Sequence, residues 1–121
     1  MLAKTEILHD MNRQLFFCFG PPKSGTTFLQ RTLNLHPEVS CPPEHQFEFL
    51  RNHIGELLRQ YDNTLRVVDR RTGGQGVESL GSVIFPKIFR YTVESIIWES
   101  AKGKRIAGAN DNSILARLDL Y

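Results

Sequence analysis

One stretch decides the fold: Leu15-Phe16-Phe17-Cys18-Phe19-Gly20-Pro21-Pro22-Lys23-Ser24-Gly25-Thr26-Thr27. Its first part is apolar and rich in aromatic side chains, which is typical of a strand buried on both faces of a parallel sheet. A loop with two glycines follows, and a helical pattern begins at about Thr26. A strand, a glycine loop and a helix in this order make an anion site, because loop N–H groups turn inward and the helix N-terminus carries roughly half a positive charge.

The remainder of the chain alternates between helical and strand patterns. The sequence predicts helices over 26–36, over 47–61 (broken by Asp62-Asn63) and from about Pro86 to Gly103, strands over 15–19, 39–41 and 105–109, and a last helix from about Ser113. This order predicts an α/β fold of three layers, in which helices flank a mostly parallel sheet, similar to the fold of P-loop NTPases. The glycine-rich segment over 64–82 is predicted to be a surface loop or a lid that contacts substrate.

Composition bounds the class of protein. The chain has 121 residues, enough for one domain, and its 40% hydrophobic and 23% charged content is ordinary for a globular protein. A net charge of +2 is too small to favour nucleic acid as a partner. No run reaches the roughly 18 apolar residues of a membrane span, and the polar N-terminus predicts a cytoplasmic location. Cys18 and Cys41 lack metal-ligand spacing, and we expect both to be reduced and structural.

The loop departs from the nucleotide-binding pattern G-x-x-x-x-G-K-[ST]. Gly20 and Gly25 have the required spacing, and Thr27 occupies the final hydroxyl position. Thr26 stands where the pattern has lysine, and the lysine lies inside the loop at position 23. Because the displaced lysine and the extra hydroxyl suit a shorter anion, the loop predicts a ligand that does not require Mg²⁺.

The pattern Gly20-x-x-Lys23-Ser24-Gly25-Thr26-Thr27 resembles the 5′-phosphosulfate-binding loop of sulfotransferases, enzymes that use 3′-phosphoadenosine 5′-phosphosulfate (PAPS). The resemblance continues through Phe28-Leu29-Gln30-Arg31-Thr32-Leu33-Asn34-Leu35-His36-Pro37-Glu38-Val39. It implies PAPS as cofactor, no metal, and transfer of a sulfuryl group to a hydroxyl or amine. It also implies that Lys23 is catalytic and stabilises charge on the leaving phosphate, while Pro22, Lys23, Ser24, Gly25, Thr26 and Thr27 bind the cofactor.

The catalytic base is expected in the stretch Cys41-Pro42-Pro43-Glu44-His45-Gln46-Phe47-Glu48-Phe49. The resemblance implies a base near this point, where heparan-type members of the family carry a glutamate. His45 falls at about that place, and a histidine with a pKa near neutrality suits the task. Glu44 is the alternative base. Both side chains could also simply belong to a helix N-terminus, where the dipole favours an acid.

The end of the last predicted strand supplies two further candidates. Asn110 and Asp111 follow the apolar residues 106–109, and ligands collect at the carboxyl ends of parallel strands. We predict that they contact the acceptor; the alternative is that Asp111 or Asn112 caps the helix that follows. The strand end lacks the lysine that family members often carry there.

The resemblance also implies that residues 1–121 form the N-terminal part of a single sulfotransferase domain. The arginine and serine with which the family binds the 3′-phosphate of PAPS have no counterpart before Tyr121. Weak PAPS binding and little turnover are therefore expected of the chain alone. The acceptor is expected to be a small molecule, carbohydrate or lipid. Two other functions stay open: a P-loop kinase or NTPase-like nucleotide binder, and a binding module without catalysis.

Overall fold

A computed structural model describes residues 12–20 and 24–111 of the chain. The elements are β1 (Gln14–Cys18), α1 (Thr26–Asn34), β2 (Val39–Ser40), α2 (Phe47–Arg71), α3 (Gly81–Ala101) and β3 (Ile106–Asn110). The helix predicted from Ser113 lies outside the described residues. The three strands confirm those predicted from the apolar runs, each to within one residue at either end.

The sheet is parallel throughout. Its strand order is β1-β3-β2, with Phe16 opposite Gly108 and Val39 opposite Ile106. Strands that run in one direction require crossover connections, which α1, α2 and α3 provide. The α/β class with a parallel sheet and flanking helices is therefore confirmed.

Helix α2 is longer than the sequence predicts. The prediction that Asp62-Asn63 breaks it was wrong, because α2 continues to Arg71. The carboxylate of Asp62 accepts a hydrogen bond of 3.0 Å from the N–H of Gly81, the first residue of α3. Asp62 therefore caps the next helix from a position inside its own, which no local pattern could show.

Helix α3 begins earlier than predicted. It starts at Gly81, so Pro86 lies inside the helix rather than at its first position. Proline has no N–H to donate to the carbonyl of residue 82, and one helical hydrogen bond is lost there. The irregular segment, predicted over 64–82, covers only residues 72–80 between the two helices. Within it, the N–H groups of Gln75 and Gly76 donate hydrogen bonds to the carboxylate of Asp69.

The core lies between α3 and the sheet. Its buried members are apolar residues of α2, α3 and β3: Phe47, Phe89, Val93, Ile97, Ala101, Ala107 and Ala109. The spacing of the α3 members follows the predicted helical stripe. Alanine is the largest side chain that β3 places in this cluster, and small residues there let α3 pack close to the strand.

Helices α2 and α3 form an antiparallel hairpin that extends past the carboxyl edge of the sheet. Phe47 at the start of α2 packs in the core with Phe89, whereas Gly81 lies beside Leu58 and Asp62 further along α2. Gly81 precedes Phe89 by two turns, about 12 Å at the rise of an α-helix. The first two turns of α3 and most of α2 therefore stand beyond the sheet.

Gly108 is required by the packing of β3. A Cβ atom at this position would lie 2.5 Å from ring atoms of Phe16 on β1. We expect Gly108→Ala to lower the free energy of unfolding by about 1–3 kcal/mol, the usual cost of overpacking. Urea unfolding followed by circular dichroism measures the change.

Gly55 on α2 offers a matched control for Gly108. A Cβ atom there would meet only Phe85, at an ordinary 3.8 Å. Since alanine is favoured over glycine in helices, Gly55→Ala should raise the free energy of unfolding by about 0.5–1 kcal/mol. Equal effects of the two substitutions would contradict the close approach of Phe16 to β3.

Candidate functional site

The carboxyl edge of the sheet brings the candidate residues together. The N–H of Asp111, directly after β3, donates a hydrogen bond of 3.1 Å to the carbonyl of Cys18 at the end of β1. Cys41 follows β2 at the same edge. Because all three strands are parallel, the segments after them meet here, which is where ligands bind in such sheets.

The loop after β1 leads into α1 through a left-handed glycine. Gly25 has φ 92°, and the described residues provide no side-chain cap and no acidic residue in the first turn of α1. Ser24, Gly25 and Thr27 are exposed and Thr26 is half-buried. The first N–H groups of α1 are therefore open to an anion. Pro22 and Lys23 lie outside the described residues.

Gly20 lets the loop close on itself. A Cβ atom at position 20 would lie 2.6 Å from Oγ of Ser24 and 3.1 Å from Cγ2 of Thr26. Any larger residue would push these two side chains away from the strand end. The first glycine of the motif therefore sets the position of the hydroxyl groups at the start of α1.

Two amide side chains of α1 hold the segment after β2. Gln30 donates a hydrogen bond of 2.5 Å to the carbonyl of Cys41, and Oδ1 of Asn34 accepts one of 3.0 Å from the N–H of Cys41. Gln30 is buried. Sequence reasoning missed this pair, whose only local signal is the spacing of four residues that puts the two amides on one face of the helix.

His45 points its imidazole into the protein. The Nε2 atom is buried and has no hydrogen-bond partner among the described residues. The ring stacks on Phe47 with centroids 5.4 Å apart. Burial lowers the pKa of His45, and the negative charge of Asp111 opposes this shift. The lowered pKa favours a neutral imidazole at pH 7, the form that can accept a proton.

Glu44 occupies a different environment from its neighbour. It is exposed, and its carboxylate accepts a hydrogen bond of 3.1 Å from the side chain of Gln46. The two candidate bases therefore face opposite surroundings, with His45 packed against the core and Glu44 at the surface.

Asn110 and Asp111 are both buried at the end of β3. Asn110 is 4% exposed, and its Oδ1 has no partner in the described part of the chain. Asp111 is 0% exposed, and its carboxylate accepts a hydrogen bond of 2.7 Å from the N–H of Phe47. Asp111 thus caps α2, a different helix from the one that the sequence suggested; Asn112 lies outside the described residues.

Cys18 and Cys41 are buried and free, as predicted. Burial raises the pKa of both thiols, that of Cys41 to about 12. Both are therefore protonated at neutral pH, and neither is a nucleophile.

A groove of about 550 Å³ lies on the helical hairpin, between α2 and the start of α3. Its lining includes Arg51, Asn52, Gly55 and Phe85. Arg51 is paired with Glu48 at 2.8 Å, one turn from the start of α2. The near end of the groove is therefore close to the turn that carries His45.

Two searches of the described residues gave negative results. Within 12–20 and 24–111, no group of His, Cys, Asp or Glu side chains could hold a metal ion. No helix in these ranges is long and apolar enough to cross a membrane.

A parallel sheet with a glycine loop between its first strand and a helix defines a P-loop-like α/β protein. Comparison with known proteins narrows this class. The model of the sulfotransferase family matches residues 16–110, and the chain belongs to that family. The resemblance inferred from the loop is confirmed.

A curated relative extends this comparison. The chain is 26% identical over 106 residues to nodulation protein NoeE of Sinorhizobium fredii (strain NBRC 101917 / NGR234). The match covers 87% of this chain and 23% of NoeE, so the chain spans less than a quarter of that relative. No solved structure matches the chain.

Proposed function

We propose that this site transfers a sulfuryl group from PAPS to a hydroxyl or amine of a small-molecule, carbohydrate or lipid acceptor. One observation carries the proposal: the Nε2 of His45, which is buried and has no hydrogen-bond partner within residues 12–20 and 24–111, lies at the same sheet edge as the anion loop. Phosphosulfate binding and proton removal are the two tasks of such a reaction. Family membership supports the transfer, and the identity of the donor rests on the loop motif.

The loop supplies the groups that would hold the 5′-phosphosulfate. The N–H groups at the start of α1, which no described side chain caps, and the hydroxyls of Ser24, Thr26 and Thr27 are donors that suit an anion. No acidic side chain in the first turn of α1 opposes it. PAPS, when bound, provides the sulfuryl group, and the Lys23 ammonium stabilises the negative charge that develops on the leaving phosphate.

His45 supplies the base. Its neutral imidazole accepts the proton of the acceptor hydroxyl or amine as the acceptor attacks sulfur. Oδ1 of Asn110 is a second buried atom without a hydrogen-bond partner in the described residues. We place it where it can accept a hydrogen bond from the molecule that receives the sulfuryl group. The groove that begins near Arg51 provides space for the remainder of the acceptor. The loop 73–76 lies at the far end of α2, roughly 36 Å along the helix from Phe47, and is less suited to this role.

A P-loop kinase or NTPase fits these residues less well. It would need a lysine at the position of Thr26 and a carboxylate to hold Mg²⁺. Asp111 is the carboxylate at the strand end, but it is fully buried and holds the N–H of Phe47. A module that binds without catalysis is distinguished from both enzymes by calorimetric titration.

Calorimetric titration of the chain with 3′,5′-ADP tests the donor site. We expect binding without Mg²⁺ and in preference to ATP. Lys23→Ala should weaken binding about 10- to 100-fold, because a hydrogen bond to a charged group contributes about 1.5–3 kcal/mol.

Lys87→Ala is the matched control for this titration, since Lys87 is exposed on α3. It should bind 3′,5′-ADP as the wild type does. Mg²⁺-dependent binding of ATP in preference to 3′,5′-ADP would favour the nucleotide-binding alternative. No heat with either ligand would favour a module without catalysis.

A further inference from the structure

The chain makes an unusual turn directly before α2, next to the end of β3. Gln46, the residue before α2, has φ 56° and ψ 52°, a left-handed conformation that non-glycine residues seldom adopt. No side chain of its own segment caps α2. The cap comes from Asp111, which is 64 positions away in the sequence and whose Oδ2 lies 2.7 Å from the N–H of Phe47. Strained residues of this kind persist only where the surrounding structure fixes them.

We infer that Asp111 is a positioning residue: by holding the first N–H of α2, its carboxylate fixes the left-handed turn at Gln46 and so places the imidazole of His45 at the sheet edge. The inference rests on the proposed function in that it gives His45 the role of base. The carboxylate of Asp111 accepts the hydrogen bond of the Phe47 N–H, and we therefore assign it the positioning of α2 rather than contact with the acceptor.

The geometry connects Asp111 to His45 through a single residue. The N–H of Phe47 donates a hydrogen bond to the Asp111 carboxylate, and the Phe47 ring stacks on the imidazole, with 5.4 Å between centroids and 25° between planes. Phe47 is itself fully buried in the core. A movement of the first turn of α2 would therefore shift the ring on which His45 rests. Misplacing a reacting group by about 1 Å can lower a rate roughly 100-fold.

Besides its hydrogen bond to Phe47, Asp111 acts on the pKa of His45 through its negative charge. Burial lowers the pKa of His45, and Asp111 raises it in opposition. Other described charges near His45 in sequence are already engaged: Glu44 is bonded to Gln46, and Glu48 is paired with Arg51. Lys23 of the loop after β1 lies outside the described residues. Removing the Asp111 charge should therefore leave the effect of burial unopposed by this carboxylate, and the pKa of His45 should fall further.

Asp69 provides a matched control because its carboxylate also accepts hydrogen bonds from backbone N–H groups, 2.9 Å from Gln75 and 3.2 Å from Gly76. It lies in the last turn of α2, away from His45 and outside the lining of the groove. Asp111→Ala and Asp69→Ala each remove a carboxylate that holds backbone N–H groups, and both should lower the thermal midpoint. Only Asp111→Ala should lower kcat/KM by about 100-fold. Asp69→Ala should stay within about twofold, as expected of a substitution remote from the site.

Titration of His45 by NMR gives a readout that does not need activity. Asp111→Asn keeps an oxygen that can accept the Phe47 N–H but removes the charge, so it should fold. Its His45 pKa should lie below that of the wild type, and the acidic limb of kcat/KM should move to lower pH. Asp69→Asn should leave the His45 pKa unchanged.

The outcomes separate this inference from the proposed function. If the wild type shows no sulfuryl transfer but Asp111→Asn lowers the His45 pKa, the positioning holds and the function fails. If transfer is present but Asp111→Ala loses no more rate than Asp69→Ala, the positioning is overturned and the function stands. An unchanged His45 pKa in Asp111→Asn also overturns the positioning.

Discussion

Replacing His45 with alanine is expected to lower kcat for sulfuryl transfer by about 10²- to 10⁴-fold, the contribution of a positioned general base. The imidazole is the half-buried base candidate, and its Nε2 has no partner among the described residues that would compete for the proton. The affinity for 3′,5′-ADP should change little, because His45 follows β2 and the loop follows β1. Single-turnover kinetics with a labelled donor measure the chemical step directly.

His53 is the matched control for His45. It lies on α2, exposed, with Nδ1 2.8 Å from the carbonyl of Phe49 and its ring stacked on Phe49 at 4.0 Å. Both histidines therefore stack on a phenylalanine, but only His45 is at the sheet edge. His53→Ala should retain the wild-type kcat, and an equal loss in the two variants would reject His45 as the base.

Glu44→Gln separates the two candidate bases. It keeps the size of the side chain and removes its charge, so a large loss of kcat in this variant would transfer the role to Glu44. We expect a small effect, since Glu44 is exposed and bonded to Gln46. With His45 as base, the acidic limb of the kcat/KM profile should lie below the ordinary histidine pKa of 6.5, because burial lowers it.

The sequence was sufficient for the parts of the fold that local interactions determine. The apolar strand before Gly20, the loop and the helix after it follow from side-chain pattern and glycine geometry over adjacent residues. The core stripe of α3 was also readable, because Phe89, Val93 and Ile97 recur at helical spacing on a face that packs on the sheet.

The errors in the helical hairpin have a single physical cause. Asp62-Asn63 and Pro86 are residues that disfavour helix when only their neighbours are considered. In the structure the Asp62 carboxylate accepts a hydrogen bond from the first N–H of α3. Pro86 lies within α3, which begins five residues before it. Tertiary contacts between α2 and α3 outweighed local preference, and such contacts leave no pattern within either segment.

The candidate site divides in the same way. Its anion loop is contiguous, so a local motif is enough to predict the whole segment from Gly20 to Thr27. Glu44 and His45 are adjacent in the sequence, and only packing makes one exposed and buries the Nε2 atom of the other. Sequence position alone therefore could not decide between them as the base. The hydrogen bond from Phe47 to Asp111 joins residues far apart in sequence, and only the folded chain shows why a buried aspartate follows β3.

Phe47→Ala is expected to have the largest effect on stability. Phe47 is 0% exposed and packs among the residues of α3 and β3 that form the core. Truncating a buried phenylalanine lowers the free energy of unfolding by about 3–5 kcal/mol, from lost burial and the cavity that remains. Since small domains are stable by only about 5–15 kcal/mol, a substantial fraction of the variant could be unfolded. Denaturant unfolding followed by fluorescence and circular dichroism measures the loss.

Phe49→Ala is the matched control, since Phe49 belongs to the same turn of α2 but is 60% exposed. Its effect should stay within about 0.5 kcal/mol, as for other surface substitutions. If both variants lost the same free energy, the placement of α2 on the sheet would be wrong. A large loss confined to Phe47→Ala would mean that one side chain both anchors α2 in the core and supports the His45 ring, beside the backbone N–H that Asp111 caps. Stability and the geometry of the base would then depend on the same residue, so selection for activity at this position would also constrain the fold.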